Sequence, residues 1–415
     1  MSDSRAEAPI GYRAGVDTQL RPSEPPIRPE GFGSACREAW LLDPDIAFLN
    51  HGSFGAVPRQ VLDVQDDWRR RIERRPVELL DRRMPELLGV SLDAAAGFVG
   101  ADPAGTAFMV NATAAVNAVA RSLSFAPGDA IVTSTHVYNA IRKTLQWTAT
   151  RDGADYVEFD LALPIHSEDD LLERLLASIP PATRLLVIDQ VSSPTGLVFP
   201  IERLLAELAP RGVQVMIDAA HAPGMLDVDV DRYLQLGAIA WTGNLHKWCF
   251  APKGTAVLMV HPDFADRVQP TIISHHSDDP FRKRFSWQGT ADFTPWLSVP
   301  EALAFGERRF GWDRLRAANH ALATWAHRCL VEHWGVEPVS PLEGDLLGSI
   351  ATVRLPESAC AAFDGPMALQ LALYDRHRIE VPVMDWGGSW FVRVSAQAYN
   401  EPEQYLALAE AVHAL

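Results

Sequence analysis

The sequence predicts an α/β protein, with a mostly parallel sheet in a large lobe and a smaller α+β lobe after it. Three observations predict this. Short apolar runs alternate with helical stretches from Thr106 to Val260. Polar residues follow five of those runs, and in open α/β sheets ligands sit beyond the carboxyl ends of the strands. From about residue 306 onward the pattern changes to one long helical stretch with two strands behind it.

Taken in order, residues 1–34 read as a flexible leader: Arg21-Pro22-Ser23-Glu24-Pro25-Pro26 cannot form a helix interior. Residues 35–60 read as an N-terminal segment that contributes to the small domain and the active site. Residues 61–305 read as the large α/β domain and 306–415 as the small C-terminal domain. Thr106 to Val110 is the first apolar run, followed by a helical stretch from Ala114 to Leu123. Ala130 to Thr133 and Arg184 to Ile188 are further runs. Ile201, Leu204, Leu205 and Leu208 fall at i, i+3, i+4, i+7 and mark an amphipathic helix. Val213, Val215 and Ile217 alternate into a strand; Ala238 to Trp241 and Thr255 to Val260 follow. Glu307 to Trp334 reads as helix, and Ser349 to Leu355 and Trp390 to Val394 as strands.

Bulk properties narrow the class. A chain of 415 residues suits two lobes, and 47% hydrophobic residues supply a sizeable core. The formal net charge of −16 argues against nucleic acid as a partner. Arg69, Arg70, Arg71, Arg74 and Arg75 cluster, but Asp66, Asp67 and Glu73 interleave with them, as on a solvated helix face. Cys36, Cys249, Cys329 and Cys360 fit neither a disulfide framework nor a metal site. With no secretory pattern and no membrane-length apolar run, the expectation is a cytoplasmic protein with no membrane partner.

The residues after the runs are Asn111-Ala112-Thr113, His136-Val137-Tyr138, Ser192-Ser193, Asp218 with His221, and Asn244 with His246-Lys247. A Schiff base needs an amine that can lose its proton, which arginine cannot do. The chain has only four lysines, Lys143, Lys247, Lys253 and Lys283, and Lys247 alone closely follows a strand end. Asp218 ends a buried strand, where a carboxylate needs a donor or cation. A pyridinium N–H would serve, and the pairing would make the ring an electron sink; a helix N-cap would use the same residue. The helix start after Asn111 can bind phosphate through free N–H groups and the Thr113 hydroxyl, or be a plain cap. Tyr138 can stack on a ring or pack in the core. Arg393 suits an α-carboxylate, or a structural salt bridge equally well. The set predicts a pyridoxal-phosphate (PLP) enzyme, with Lys247 holding the cofactor, that works at the α-carbon of a small amino-acid substrate.

Four segments carry a resemblance. Phe48-Leu49-Asn50-His51-Gly52-Ser53-Phe54-Gly55, Asp218-Ala219-Ala220-His221, Asn244-Leu245-His246-Lys247 and Trp287-Gln288-Gly289-Thr290 resemble motifs of the class V aminotransferase superfamily of fold-type I PLP enzymes. Within that superfamily they resemble the isopenicillin N epimerase-like group. The resemblance implies a fold-type I transferase with a seven-stranded sheet, dimeric, with active sites shared at the interface. It implies Ala112 and Thr113 at the phosphate with Asn244 and His246 helping, Thr290 reaching the partner's phosphate, and Tyr138 on the ring. It places His221, with Ser192 or Ser193, near the ring oxygen or substrate, and Asn50, His51 and Arg393 at the substrate.

Cysteine desulfurases share the fold but need a cysteine shortly before the carboxylate-binding arginine, and none lies between Gly365 and Arg393. An epimerase-like reaction leads, with a C–S β-lyase close behind and an aminotransferase or decarboxylating deaminase on the same fold as further alternatives. An epimerase needs a second acid; His51, His221, His275, His276 and the tyrosines are candidates. A nucleotide-binding domain is disfavoured by the lack of G-x-x-x-x-G-K-[ST] and of a G-x-G-x-x-G turn.

Overall fold

The computed structural model describes residues 24–415. The N-terminal part holds β1 (Ala47–Phe48), α1 (His51–Phe54), α2 (Arg59–Arg74) and α3 (Met84–Phe98). The α/β run follows: β2 (Thr106–Met109), α4 (Ala112–Ser122), β3 (Ala130–Ser134), α5 (Asn139–Asp152), β4 (Asp155–Phe159), α6 (Glu168–Ser178), β5 (Thr183–Asp189), α7 (Ile201–Leu208), β6 (Gln214–Asp218), α8 (Val230–Gln235), β7 (Ala238–Asn244), α9 (Leu245–Trp248) and β8 (Ala256–Val260).

These strands form one seven-stranded sheet in the order β2-β8-β7-β6-β5-β3-β4. Neighbours pair in parallel from β7 through to β4, while β8 runs antiparallel to both β2 and β7. The central strands are buried on both faces. Leu186, Ile188 and Ile217 pack into one apolar cluster, whereas Leu185, Val187 and Met216 pack into another. That split is what a period of two requires of a sheet covered by helices on both sides.

The smaller lobe contains the three-stranded antiparallel sheet β11-β12-β9, built from β9 (Ile350–Arg354), β11 (Val383–Trp386) and β12 (Ser389–Ser395). A third apolar cluster joins it to helix Trp312–Trp334 and helix Pro402–Ala414. β10 (Ile379–Glu380) instead pairs in parallel with β1, so the N-terminal segment is sewn to this lobe.

Three differences from the sequence reading have physical causes. The helix expected from Glu307 to Trp334 is two, Val299–Phe310 and Trp312–Trp334, broken at Gly311 with φ 70°. β4 escaped notice because its Asp155 is exposed and its next three residues only partly covered, as befits a sheet edge. Of the leader, residues 1–23 lie outside the described residues, but the chain just before residue 34 is fixed rather than loose. Arg28 donates to the carbonyls of Ala318, Gln397 and Ala398 at 2.7, 3.2 and 3.3 Å, and the Gly33 N–H donates to Ala398 at 2.7 Å. One guanidinium pins a stretch whose composition alone suggests a loop. No helix among the described residues is long and apolar enough to cross a membrane, and no His/Cys/Asp/Glu group among them could hold a metal.

Candidate active site

The carboxyl ends of β5, β6 and β7 and the start of α4 open onto one cavity of about 460 Å³. Asp189, Asp218 and Asn244 line it from the strand ends, Lys247 from α9, Ala112 and Thr113 from α4, and Arg393 from β12 of the smaller lobe. Lys247 reaches the cavity because α9 is a single turn held by buried Leu245 and Trp248 on either side. Close packing over that turn is tight. A Cβ at Gly55, where φ is 70°, would lie 2.2 Å from the His246 carbonyl oxygen.

The electrostatics follow from burial. Lys247 Nζ lies 3.0 Å from His221 Nε2. Burial lowers the lysine to about 7; Arg393 adds to this, while Asp218 and Asp189 pull the other way. His221 is held well below its ordinary value, by burial first and then by the charges of Lys247, Arg393 and His246. Burial raises Asp218, although the Ala220 N–H, which its Oδ1 accepts at 3.0 Å, and Lys247 favour its charge. An amine lowered to about 7, an imidazole held neutral and a buried carboxyl group thus share one wall.

Arg393 is buried without an acid partner; among the described residues no ion pair involves it. Its Nη1 donates to the carbonyl and hydroxyl of Ser193, its Nη2 donates to Ser53 Oγ at 3.1 Å, and its Nε has no partner. Burial lowers it to about 10, so it stays charged at neutral pH. A buried, unpaired guanidinium at a cavity wall is built to receive a carboxylate.

At the other end, Asn111 caps α4 by accepting the Ala114 N–H at 2.8 Å. Asn244 Oδ1 accepts the Ala112 N–H at 2.9 Å, so Asn244 holds the helix start in place, and that amide is already used. His246 Nδ1 donates to the Thr255 carbonyl at 2.7 Å, which leaves Nε2 free. Thr113 lines the cavity, and a helix N-terminus of this length favours an anion.

Tyr138 sits half exposed in the same cavity wall, just ahead of α5. Ser193 lines it too, whereas Ser192 turns away to Thr195. His136 is drawn off by Thr195 and the Leu161 carbonyl and packs edge-on to Trp386. Asn50 and His51, expected at the substrate, do not line the cavity. His51 is buried; its Nε2 donates to the Lys247 carbonyl at 2.9 Å, and its Nδ1 accepts from the Tyr399 hydroxyl at 2.7 Å. Asn50 donates to Glu380 and accepts from Ser53. Both residues serve the lobe junction. Thr290 lines a different cavity with Trp287, His275 and His276. Asp189, Ser53 and Lys253 line the site without having been anticipated. Asp189 directly follows the apolar run that ends at Ile188, and its place at that strand end is the signal that could have found it.

The arrangement can hold an anion at the α4 start, a protonated ring nitrogen at Asp218, a carbonyl carbon at Lys247 and a carboxylate at Arg393. Comparison with known proteins agrees with that chemistry. The family described as aminotransferase class-V matches residues 83–404. The chain is similar to the isopenicillin N epimerase of Amycolatopsis lactamdurans, 35% identical over 399 residues, covering 91% of this chain and 97% of the relative. It is similar to a protein of Arabidopsis thaliana named as a probable chloroplastic L-cysteine desulfhydrase, 31% identical, covering 90% of this chain and 83% of the relative. Its fold matches a solved structure of C-DES with glycine covalently linked to the PLP cofactor. The TM-score is 0.75 at 19% identity, over 89% of this chain and 96% of that one.

Proposed function

Because the chain belongs to the class V aminotransferase family, we propose that it is an epimerase-like enzyme. It takes the proton from the α-carbon of an amino acid or amino-acid conjugate and returns one on the opposite face. The observation that carries this is the Lys247–His221 contact of 3.0 Å in a cavity shared with Asp218 and Arg393.

Pyridoxal phosphate is the cofactor of this family, and the residues present fit it. Among the described residues Asp218 forms no ion pair, the buried Nδ1 of His221 has no partner, and the α4 start presents Thr113 to the cavity. Asp218 would hold the ring nitrogen, Thr113 and the α4 start the phosphate, and Lys247 the aldehyde carbon. Tyr138 would cover the ring. When bound, the cofactor supplies an electron sink for the pair left on the α-carbon.

The chain's own groups do the rest. Arg393 fixes the substrate carboxylate and so presents the α-carbon in one orientation. Lys247, which burial lowers to about 7 so that a large share is neutral at neutral pH, takes the α-proton. His221 Nε2 holds the amine in place. The likeness to an isopenicillin N epimerase supports this reading.

A C–S β-lyase is the second reading. His51, His275 and His276, three of the candidates for a second acid, do not line the cavity. An elimination needs no second acid, only a leaving group such as a thiolate. The relative named as an L-cysteine desulfhydrase supports it. Desulfuration through a protein thiolate is disfavoured. No cysteine lines the cavity, and burial raises Cys36, Cys249, Cys329 and Cys360 alike.

Incubation in heavy water with a panel of amino acids and cysteine S-conjugates separates these. Deuterated substrate of inverted configuration supports epimerization. Pyruvate with a released thiol supports elimination, and keto acid with the amine form of the cofactor points to transamination.

A further inference from the structure

Asp189 has no part in the chemistry just described. It ends β5 as Asp218 ends β6, and the two are register partners in a parallel pair. Their side chains therefore leave the sheet on the same face, from backbones about 4.8 Å apart. Both line the cavity, and both are only 3% exposed. Asp218 Oδ1 accepts the Ala220 N–H, but Asp189 Oδ2 is buried with no hydrogen-bond partner.

The charged groups facing Asp189 are Asp218 from β6, Lys247 from α9 and Arg142 from α5. His221 and Arg393 face Lys247 in turn. Arg142 is committed to Glu158, with contacts of 2.8 and 2.9 Å. Burial lowers Lys247 to about 7, so it supplies only about half a positive charge at neutral pH. That leaves two carboxylates at adjacent buried strand ends with too little positive charge to keep both ionised. Burial, then the charge of Asp218, holds Asp189 well above the usual carboxylate range.

We propose that Asp189 is a positioning residue whose neutral carboxyl donates to the Asp218 carboxylate, leaving Asp218 as the single anion presented to the cofactor ring. The assignment of Asp218 to the ring rests on the function proposed above; the shared proton does not.

The raised group fixes the sign of the test. The folded chain keeps a proton that the unfolded chain releases, so the contribution of Asp189 to stability falls as pH rises above the ordinary carboxylate value. The contribution of Lys247 has the opposite sign. Thermal midpoints of the full chain are measured from about pH 5 to about pH 9, with saturating pyridoxal phosphate and after its removal, for the wild type, Asp189→Asn and Asp189→Ala. Without cofactor, the midpoint of Asp189→Asn relative to the wild type should rise by roughly 3 °C or more from the acid end to the alkaline end. Spectral titration should give Asp189→Asn a cofactor Kd within about threefold of the wild type, and Asp189→Ala one about tenfold weaker. Parallel midpoint curves for wild type and Asp189→Asn overturn the shared proton. An Asp189→Asn Kd as weak as that of Asp189→Ala overturns the donor role. If Asp189→Ala does not fold, the Asn comparison decides alone. A wild type that binds no pyridoxal phosphate would instead overturn the functional reading and leave the midpoint curves to judge the pair.

Discussion

The Lys247 amine and the His221 imidazole meet at 3.0 Å, Nζ to Nε2, and neither favours a proton there. Burial and neighbouring positive charge lower both, so under the proposed function the lysine would serve as nucleophile and base without a separate activating carboxylate.

Lys247→Ala should abolish covalent capture of the cofactor and lower turnover by about a thousandfold or more. Borohydride reduction followed by peptide mass analysis should mark Lys247 in the wild type. A mark on Lys143, Lys253 or Lys283 would overturn the assignment.

Capture requires the neutral amine, and burial brings Lys247 to about 7. The rate at which added pyridoxal phosphate develops its visible band should rise about tenfold per pH unit below that value and level off above it. A rise continuing toward the ordinary lysine range would show that the amine is not depressed.

Asp218→Asn keeps the shape of the strand end and removes its charge. Turnover with the cofactor loaded should fall roughly a hundredfold, because electrostatic support of this kind is worth several kcal/mol. A near-normal rate would sink the role given to Asp218.

Arg393→Lys keeps the charge but loses the planar fork between Ser193 and Ser53. It should cost about 2 kcal/mol, or about thirtyfold in kcat/KM, carried mainly by KM. Unchanged kinetics would move the carboxylate site elsewhere.

Thr290 does not line the Lys247 cavity of its own chain. If the protein is a homodimer with shared sites, mixing inactive Lys247→Ala and Thr290→Ala should restore about a quarter of the wild-type activity. Fully active wild type running as a monomer in sedimentation would contradict this.

The α/β alternation was legible because buried strands carry unbroken apolar runs, and Lys247 because lysine is so scarce. β11 was hidden, since Val383–Trp386 pairs only through a hairpin with β12 and keeps Asp385 exposed. The site was legible as a set of strand ends but not as a set of directions. Asn50 and His51 stand next to Gly52, Ser53 and Phe54, which do line the cavity, yet their own side chains turn into the junction. Spacing in sequence does not say which way a one-turn helix faces. Asp189 was missed for the converse reason: it closes a run that reads as pure core.

His51 has a mechanical consequence. It grips the Lys247 carbonyl with one nitrogen and the Tyr399 hydroxyl with the other, while the Gly52 N–H donates to Ser395 Oγ and β1 is paired to β10. The backbone bearing the reactive amine is therefore tethered, within two hydrogen bonds, to the part of the chain that carries Arg393. A tilt of the smaller lobe on taking up a carboxylate would be felt at once as a pull on that peptide unit. Loosening His51 should therefore free the Lys247 peptide unit from the segment that carries Arg393.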